Sequence, residues 1–336
     1  MIIEKHKSIK EYNTFGVDVT AKHFVSIQNL IQLSEILRSN SDKPILVLGG
    51  GSNILFTKDI DALVIHMNIK GIKEKILDDH HVIINCNAGE KWHDLVQYCV
   101  KKDYGGIENL SLIPGNAGTA PIQNIGAYGV ELKDVLISCT AMHIKTQQLK
   151  TFSAEECNFG YRDSLFKNEA KNQYIIVSIQ LKLTTKEHIL HTDYGAIKNK
   201  LKELNRNSPS IQDISDAIIQ IRESKLPDPK KLGNGGSFFK NPILTEKEFI
   251  YFNEKHPEAP FYKMGNEYKV PAGWLIEHAG LKGYRKNNVG VHKKQALVLV
   301  NYGHATGKDI LQFAICIQQI VKNKFGIKII PEINIL

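Results

Sequence analysis

The stretch ILVLGGGSNILF, residues 45–56, sets an apolar run, three glycines, a serine and an asparagine, and a second apolar run back to back. Ile45 to Leu48 reads as a buried strand. Gly49, Gly50 and Gly51 lack the Cβ that keeps other residues at a distance, so here the backbone can turn tightly. Its N–H groups, with Ser52 and Asn53 completing the loop, can then face phosphate oxygens. A doubly wound dinucleotide fold needs G-x-G-x-x-G opening a helix. These glycines run into another strand, which argues against that fold and leaves two readings open: a phosphate loop or a plain tight turn.

On either side the pattern is that of a small α/β unit. HFVSI (23–27) reads as a strand, QNLIQLSEILRSN (28–40) as a helix with Leu30, Leu33 and Leu37 at helical spacing, and ALVIHM (62–67) as a closing strand. A second section opens with HVIINCNAG (81–89) and the helix EKWHDLVQYCVKK (90–102), whose Trp92, Leu95, Val96 and Cys99 share a face. Strands follow at VLISCTAMHI and YIIVSIQLKL. The helical pattern DISDAIIQIRESK (213–225) is cut by LPDP, because proline lacks the donor and clashes with the preceding turn, and this break is the best boundary in the chain. Beyond it come the helix PAGWLIEHAG, the strand QALVLVN, and the helix KDILQFAICIQQIVKNKFG stopped by Gly326. The tail IKIIPEINIL is strand-like, with Pro331 inside it.

With 336 residues and 42% apolar content, the chain is long enough for two or three domains. Its five cysteines show no C-x-x-C pair and read as thiols in a reducing compartment. No secretory h-region opens the chain, and no apolar run approaches the roughly 18 residues of a membrane span, so a cytoplasmic protein with no membrane partner is expected. The net charge of +8 is spread over short clusters such as Lys101-Lys102, Lys230-Lys231 and Lys293-Lys294. That pattern fits a solvated basic surface compatible with diphosphates better than a nucleic-acid face. The thirteen histidines supply no ligand spacing, and no metal is expected.

Four further stretches carry chemistry. IPGNAGTAPIQNIGAYG (113–129), with Pro114, Gly115, Gly118, Thr119, Gln123, Asn124, Gly126 and Tyr128, has no periodicity but offers backbone donors, amides, a hydroxyl and an aromatic face. It is either a loop wrapping a large polar cofactor or an Ω-loop packed on itself. In FGYRDSLF (159–166), Arg162, next to Tyr161 among aromatic residues, suits a bidentate grip on a carboxylate or phosphate, or a structural stacking or ion-pair role. In KLPDPKKLGNGGSFFKNP (225–242), Lys225 precedes the helix break and Ser237 follows two glycines; the pattern is not G-x-S-x-G, which argues against a hydrolase elbow and reads by itself as a serine in a turn. Glu332 places a carboxylate in the apolar tail, and alternation does not decide which way it faces.

Taken in order, LGGGSNILF, IPGNAGTAPIQNIGAYGVEL, FGYRDSLFK, KLPDPKKLGNGGSFFKNP, PAGWLIEHAGLKG and VHKKQALVLVN resemble the UDP-N-acetylenolpyruvoylglucosamine reductase family, from NTFGVDVTAKHF near the start to PEI near the end. The resemblance implies an α+β fold: a two-part FAD-binding region of the vanillyl-alcohol-oxidase type, then a C-terminal substrate-binding α+β domain. It divides the chain into FAD-binding subdomains at 1–69 and 70–213, a UDP-sugar domain at 214–326, and a C-terminal strand at 327–336 that returns Glu332 to the site. It further implies FAD and NADPH as cofactors, UDP-N-acetylglucosamine enolpyruvate as substrate, and a monomer.

By the same resemblance Arg162 is the catalytic arginine, Ser237 the proton donor and Glu332 the catalytic glutamate. Gly49 to Asn53 would hold the FAD diphosphate, and the 113–129 loop the rest of the cofactor. Tyr128, Tyr161, Tyr194, Lys225, Asn241, Lys282 and Gln295 would surround the substrate. HTDYG, with Tyr194, and the long segment between Pro242 and Val270 resemble the family type whose mobile tyrosine loop closes over the sugar. Gly235 would replace an alanine of the family with little consequence. Two other classes stand beside this reading. A related FAD-dependent oxidase would make peroxide without the sugar, and a non-catalytic nucleotide- or nucleic-acid-binding module would be colourless.

Overall fold

The computed structural model describes residues 2–336. The chain forms two compact units that interleave in sequence: the first comprises the chain up to Lys7, Ala21–Gly50 and Asp61–Arg222, and the second Ser8–Thr20, Gly51–Ile60 and Glu223–Leu336.

In the first unit the opening helix, α1 (Leu30–Ser39), starts where the Asn29 side chain accepts a hydrogen bond from the Gln32 N–H at 2.9 Å. It buries Leu33, Ile36 and Leu37 against Val25, Ile27, Leu63 and Ile65 of a four-stranded sheet. That sheet runs in the order Glu4–Ser8, Thr20–Ile27, Ile60–Met67, Ile45–Leu48, and the last two strands are parallel. The parallel pair matters because it delivers the glycine loop at the C-terminal end of Ile45–Leu48. The second layer is an antiparallel sheet ordered Leu149–Ser153, Leu136–His143, Tyr174–Thr184, His81–Asn87, Ile72–Ile76. Against it α2 (Trp92–Lys101) buries Trp92, Leu95, Val96 and Cys99, the face that the spacing predicts. A short helix, α3 (Gly195–Glu203), and the long α4 (Ile211–Lys225) pack on each other through Ile197, Leu201, Ile214 and Ile218.

The second unit carries a four-stranded sheet, Gly233–Ser237, Val298–Asn301, Val289–Val291, Arg285–Lys286. It also has a three-stranded sheet of Ile243–Thr245, Glu267–Lys269 and Tyr262–Met264, with α5 (Glu246–Lys255) and α6 (Ala272–His278) nearby in sequence. Its longest helix, α7 (Gly307–Phe325), opens with a Thr306/Asp309 capping box and ends at Gly326 in the left-handed conformation, φ 72°, as the sequence predicts. Among the described residues no helix is long and apolar enough to cross a membrane.

Candidate flavin and substrate site

The two glycine loops meet within the first unit. A Cβ on Gly49 would stand 2.6 Å from Thr119 Cγ2, and one on Gly50 would stand 2.8 Å from Asn116 Oδ1 and 3.0 Å from Gly115 Cα. In the second unit, a Cβ on Gly51 would collide with the Tyr12 carbonyl, and its φ of +59° favours glycine as well. These glycines therefore serve first to let neighbouring backbone close in, a packing role that the sequence does not reveal. The loop also leaves donors over: among the described residues none of the backbone N–H groups of Gly49, Gly50, Gly51 and Ser52 donates to a protein acceptor. A glycine-lined series of uncommitted N–H donors has the chemistry that the diphosphate of FAD requires, and the residues present fit that group.

The second loop is held by side chains and turns rather than by a ladder. Trp92 N–H donates to the Gly115 carbonyl at 3.0 Å, Ala117 N–H to Glu90 O at 2.8 Å, and Gly118 N–H to Ala88 O at 3.0 Å. Thr119 and Asn116 cap one another. Asn124, fully buried at φ +42°, spends both amide protons inside the unit, on Glu131 Oε2 at 2.9 Å and Gly160 O at 3.2 Å. Its side chain thus knits the loop together, and Gln123 precedes it in the same 3-10 turn.

Gly126–Ala127 and Val130–Glu131 form a hairpin whose two turn residues, Tyr128 and Gly129, have φ of +52° and +85°. Two positive φ values mark a type I′ turn, a position that favours Asn or Gly and holds a tyrosine here. Arg162 is held in a comparable way. The Gly160–Asp163 turn is closed by Asp163 N–H donating to Gly160 O at 3.3 Å, and Arg162 occupies its third position at φ +54°, where a turn of this shape asks for glycine. Its guanidinium Nη2 donates to the Gly126 carbonyl at 3.0 Å. Tyr161, beside it, belongs to the same turn. Left-handed non-glycine residues cost on the order of 1 kcal/mol each and cluster at functional sites.

Arg222 is a residue that the motifs do not mark. It continues the buried stripe Ile211, Ser215, Ile218 of α4 at helical spacing, so the helix carries a guanidinium inward. Burial pushes its pKa down, the Tyr128 hydroxyl is hydrogen-bonded to it, the Arg162 charge acts on it in the same sense as burial, and no carboxylate contributes. Burial raises the Tyr128 phenol, while the arginine opposes that rise. Tyr194 packs edge-on against Tyr128, ring centroids 5.5 Å apart, and is 48% exposed. The signal for Arg222 was present in DISDAIIQIRESK: an arginine in phase with the apolar face.

In the second unit Ser237 ends its strand opposite Val298 and is exposed. An irregularity in the register lies between Asn234 and Ser237, with Gly236 at φ +72°. Gly235 departs from the expectation of little consequence. A Cβ there would meet the Phe15 ring at 2.6 Å and Ile333 Cδ1 at 2.7 Å, so a methyl at this position would force one of these side chains to shift. The tail lies alongside: Phe239 bridges Pro331, and Glu332 N–H donates to Phe238 O at 2.8 Å. Glu332, half-buried, thus lies beside the chain that leaves the Ser237 strand, held there by one isolated bridge and one backbone bond.

Asn241 Oδ1 accepts from Ala272 N–H at 2.9 Å at the start of α6, and Gln295 Oε1 would stand 3.4 Å from a Cβ on Gly273 in the same helix. Lys282 lies beyond the other end of α6, paired with Glu277 at 2.7 Å. Lys225 ends α4 and is exposed, and its backbone is hydrogen-bonded to His292.

An FAD-binding-domain profile matches residues 21–151. With the strand–glycine loop–strand unit and its donors, this defines the chain as an FAD-binding flavoprotein of α+β fold. The profile of the UDP-N-acetylenolpyruvoylglucosamine reductase C-terminal domain matches residues 228–336. The chain is 53% identical to the UDP-N-acetylenolpyruvoylglucosamine reductase of Flavobacterium johnsoniae and covers 100% of both chains. It is 47% identical to that of Amoebophilus asiaticus, again over 100% of both, and 44% identical to that of Pseudomonas aeruginosa over 99% of this chain and 98% of the relative. The chain belongs to the UDP-N-acetylenolpyruvoylglucosamine reductase family. The structure of the Thermus caldophilus reductase superposes with a TM-score of 0.68 at 23% identity, covering 100% of this chain and 99% of that one. A solvent-stable cholesterol oxidase superposes with a TM-score of 0.51 at 10% identity, covering 98% of this chain and 86% of that one. The fold is α+β, as the sequence resemblance implies: an FAD-binding region followed by the family's C-terminal domain.

Proposed function

We propose that this chain is the UDP-N-acetylmuramate dehydrogenase of peptidoglycan precursor synthesis, reducing UDP-N-acetylglucosamine enolpyruvate with NADPH. The observation that carries this reading is full-length identity of 53% to a UDP-N-acetylenolpyruvoylglucosamine reductase. FAD, when bound, supplies the hydride-transfer chemistry. Gly49, Gly50, Gly51, Ser52 and Asn53 hold its diphosphate, and Pro114, Gly115, Gly118, Thr119, Gln123, Asn124 and Gly126 line the remainder. Tyr128, Tyr161, Tyr194, Lys225, Asn241, Lys282 and Gln295 receive the UDP-sugar. We assign the chain to the family type with the mobile tyrosine loop around Tyr194, acting as a cytoplasmic monomer. The domains divide at 1–69, 70–213, 214–326 and 327–336.

The roles follow from charge. Reduction places a hydride on the terminal vinyl carbon of the substrate and a proton on its neighbour, and negative charge accumulates on that neighbour and its carboxylate in between. Arg162 meets this charge with a planar fork of donors. Glu332 assists when it holds a proton, since a bare carboxylate would repel it. Ser237 delivers the proton to the carbon; a hydroxyl is a weak acid, useful only toward so basic a partner. The strained left-handed turn of Arg162 supports the assignment, because the chain keeps that conformation at a cost.

Ser237→Ala tests the assignment. In anaerobic stopped-flow, NADPH should bleach the flavin of the variant at the wild-type rate, while turnover of the sugar falls on the order of a hundred- to ten-thousand-fold. Equal slowing of both halves would remove Ser237 from the proton-donor role.

A further inference from the structure

We infer that Asn109 is a positioning residue: a latch that fastens the segment leading to Tyr194 and so sets how tightly the UDP-sugar is held. The inference rests on the proposed role of Tyr194.

Asn109 is fully buried in the 3-10 turn Glu108–Leu110, a residue of a type that is rarely buried without a task. Its single amide nitrogen reaches two separate stretches of chain, donating to Tyr128 O at 3.0 Å and to His191 O at 2.9 Å. Both stretches carry a tyrosine of the proposed substrate site, and the two rings pack edge-on 5.5 Å apart. One side chain therefore fixes the strained turn under Tyr128 and the approach to Tyr194 together.

The second contact matters because little else holds that approach. From Thr185 to Tyr194 the chain has no helix or strand. Among the described residues, the bond from Asn109 is the one hydrogen bond made to the backbone of residues 186–193. The other ties are through side chains: His188 Nδ1 lies 2.6 Å from Thr184 Oγ1 and its Nε2 3.4 Å from Asp103, Glu187 lies 3.3 Å from His80, and Leu190 packs on the apolar core. Ile189, at 77% exposure, stands out in solvent, while Tyr194, 48% exposed, keeps its edge-on packing against Tyr128. A segment with no ladder of its own opens at lower cost than a strand or helix, and its one backbone bond adds to that cost. Asn109 touches neither substrate nor cofactor in this account; it acts through Tyr128 and Tyr194.

The test uses the FAD-loaded enzyme, Asn109→Ala and the equally sized Asn109→Asp. Asn109→Ala removes both bonds, and loss of the one to His191 O, which leaves that carbonyl unsatisfied, corresponds to roughly a tenfold shift in the opening equilibrium of the segment. Asn109→Ala should raise the KM for UDP-N-acetylglucosamine enolpyruvate roughly tenfold with kcat little changed, and trypsin should cut after the exposed Lys186 about tenfold faster in the sugar-free enzyme. Asn109→Asp keeps the packing but donates only when protonated, so its sugar KM should improve as pH falls, a trend that a merely structural role would not produce. Unchanged cleavage at Lys186 in both variants overturns the latch. Faster cleavage with an unchanged sugar KM keeps the latch but detaches it from sugar binding, and Tyr194→Ala, if also without effect on KM, would show that the reading of Tyr194 itself is at fault.

Discussion

Gly235 shows how a residue's importance can be invisible in the sequence and evident in three dimensions. Two positions before Ser237, it is by resemblance one small residue in place of another. In the fold its missing methyl is the space taken by the Phe15 ring and Ile333. Gly235→Ala should therefore destabilise the protein by about 1–3 kcal/mol through overpacking, measured by urea unfolding of the holoenzyme. An unchanged midpoint would mean that the ring swings aside freely. Arg162, Ser237 and Glu332 were legible as residue types in unusual settings, because arginine between aromatics, serine after paired glycines and a carboxylate in an apolar tail each break a local rule. Arg222 and Asn109 were less so. The phase of Arg222 with the α4 stripe was available to be read, whereas the partners of Asn109 lie 19 and 82 residues away in the chain and leave no local mark.

At the scale of elements, periodicity worked where an apolar face is packed against a single layer. The helices α1, α2, α4, α6 and α7 and the strands around 45–48, 81–87, 136–143 and 174–184 stand where the spacing puts them. It failed for the stretch 105–129, whose short 3-10 turns carry no apolar period and are tied to Ala88, Glu90 and Trp92 as well as to their own neighbours. It also passed over α5, although Thr245 and Glu248 form a capping box that is visible as T-x-x-E. The tail is a shorter strand than its composition suggests. Asn334–Ile335 runs parallel to Ile54–Leu55, with Asn334 N–H donating to Asn53 O at 3.1 Å and Thr57 N–H to Leu336 O at 2.7 Å. These bonds join the chain terminus to the segment after the glycine loop. Deleting residues 334–336 should cost about 2–4 kcal/mol of stability, from a handful of net hydrogen bonds, and denaturant unfolding would register it. A truncated protein as stable as the full chain would show that the pairing contributes nothing.

For the whole molecule, the sequence order conceals an exchange. Residues 8–20 and 51–60 belong to the same compact unit as 223–336, and the chain passes from one unit to the other within the glycine loop, after Gly50. No local pattern encodes such an exchange, since each piece is an ordinary strand or turn whose partners are distant in sequence. Chemistry survives this concealment better than topology does, because motifs travel with their residues. The central claim, an FAD enzyme that passes reducing equivalents from NADPH to an enolpyruvyl sugar, is tested most directly by the anaerobic visible spectrum of the purified protein. The protein should be yellow, bleached by NADPH and returned to its oxidised spectrum by UDP-N-acetylglucosamine enolpyruvate. A flavin that stays bleached after the sugar is added would contradict the substrate, and a protein unable to take up FAD would contradict the account as a whole.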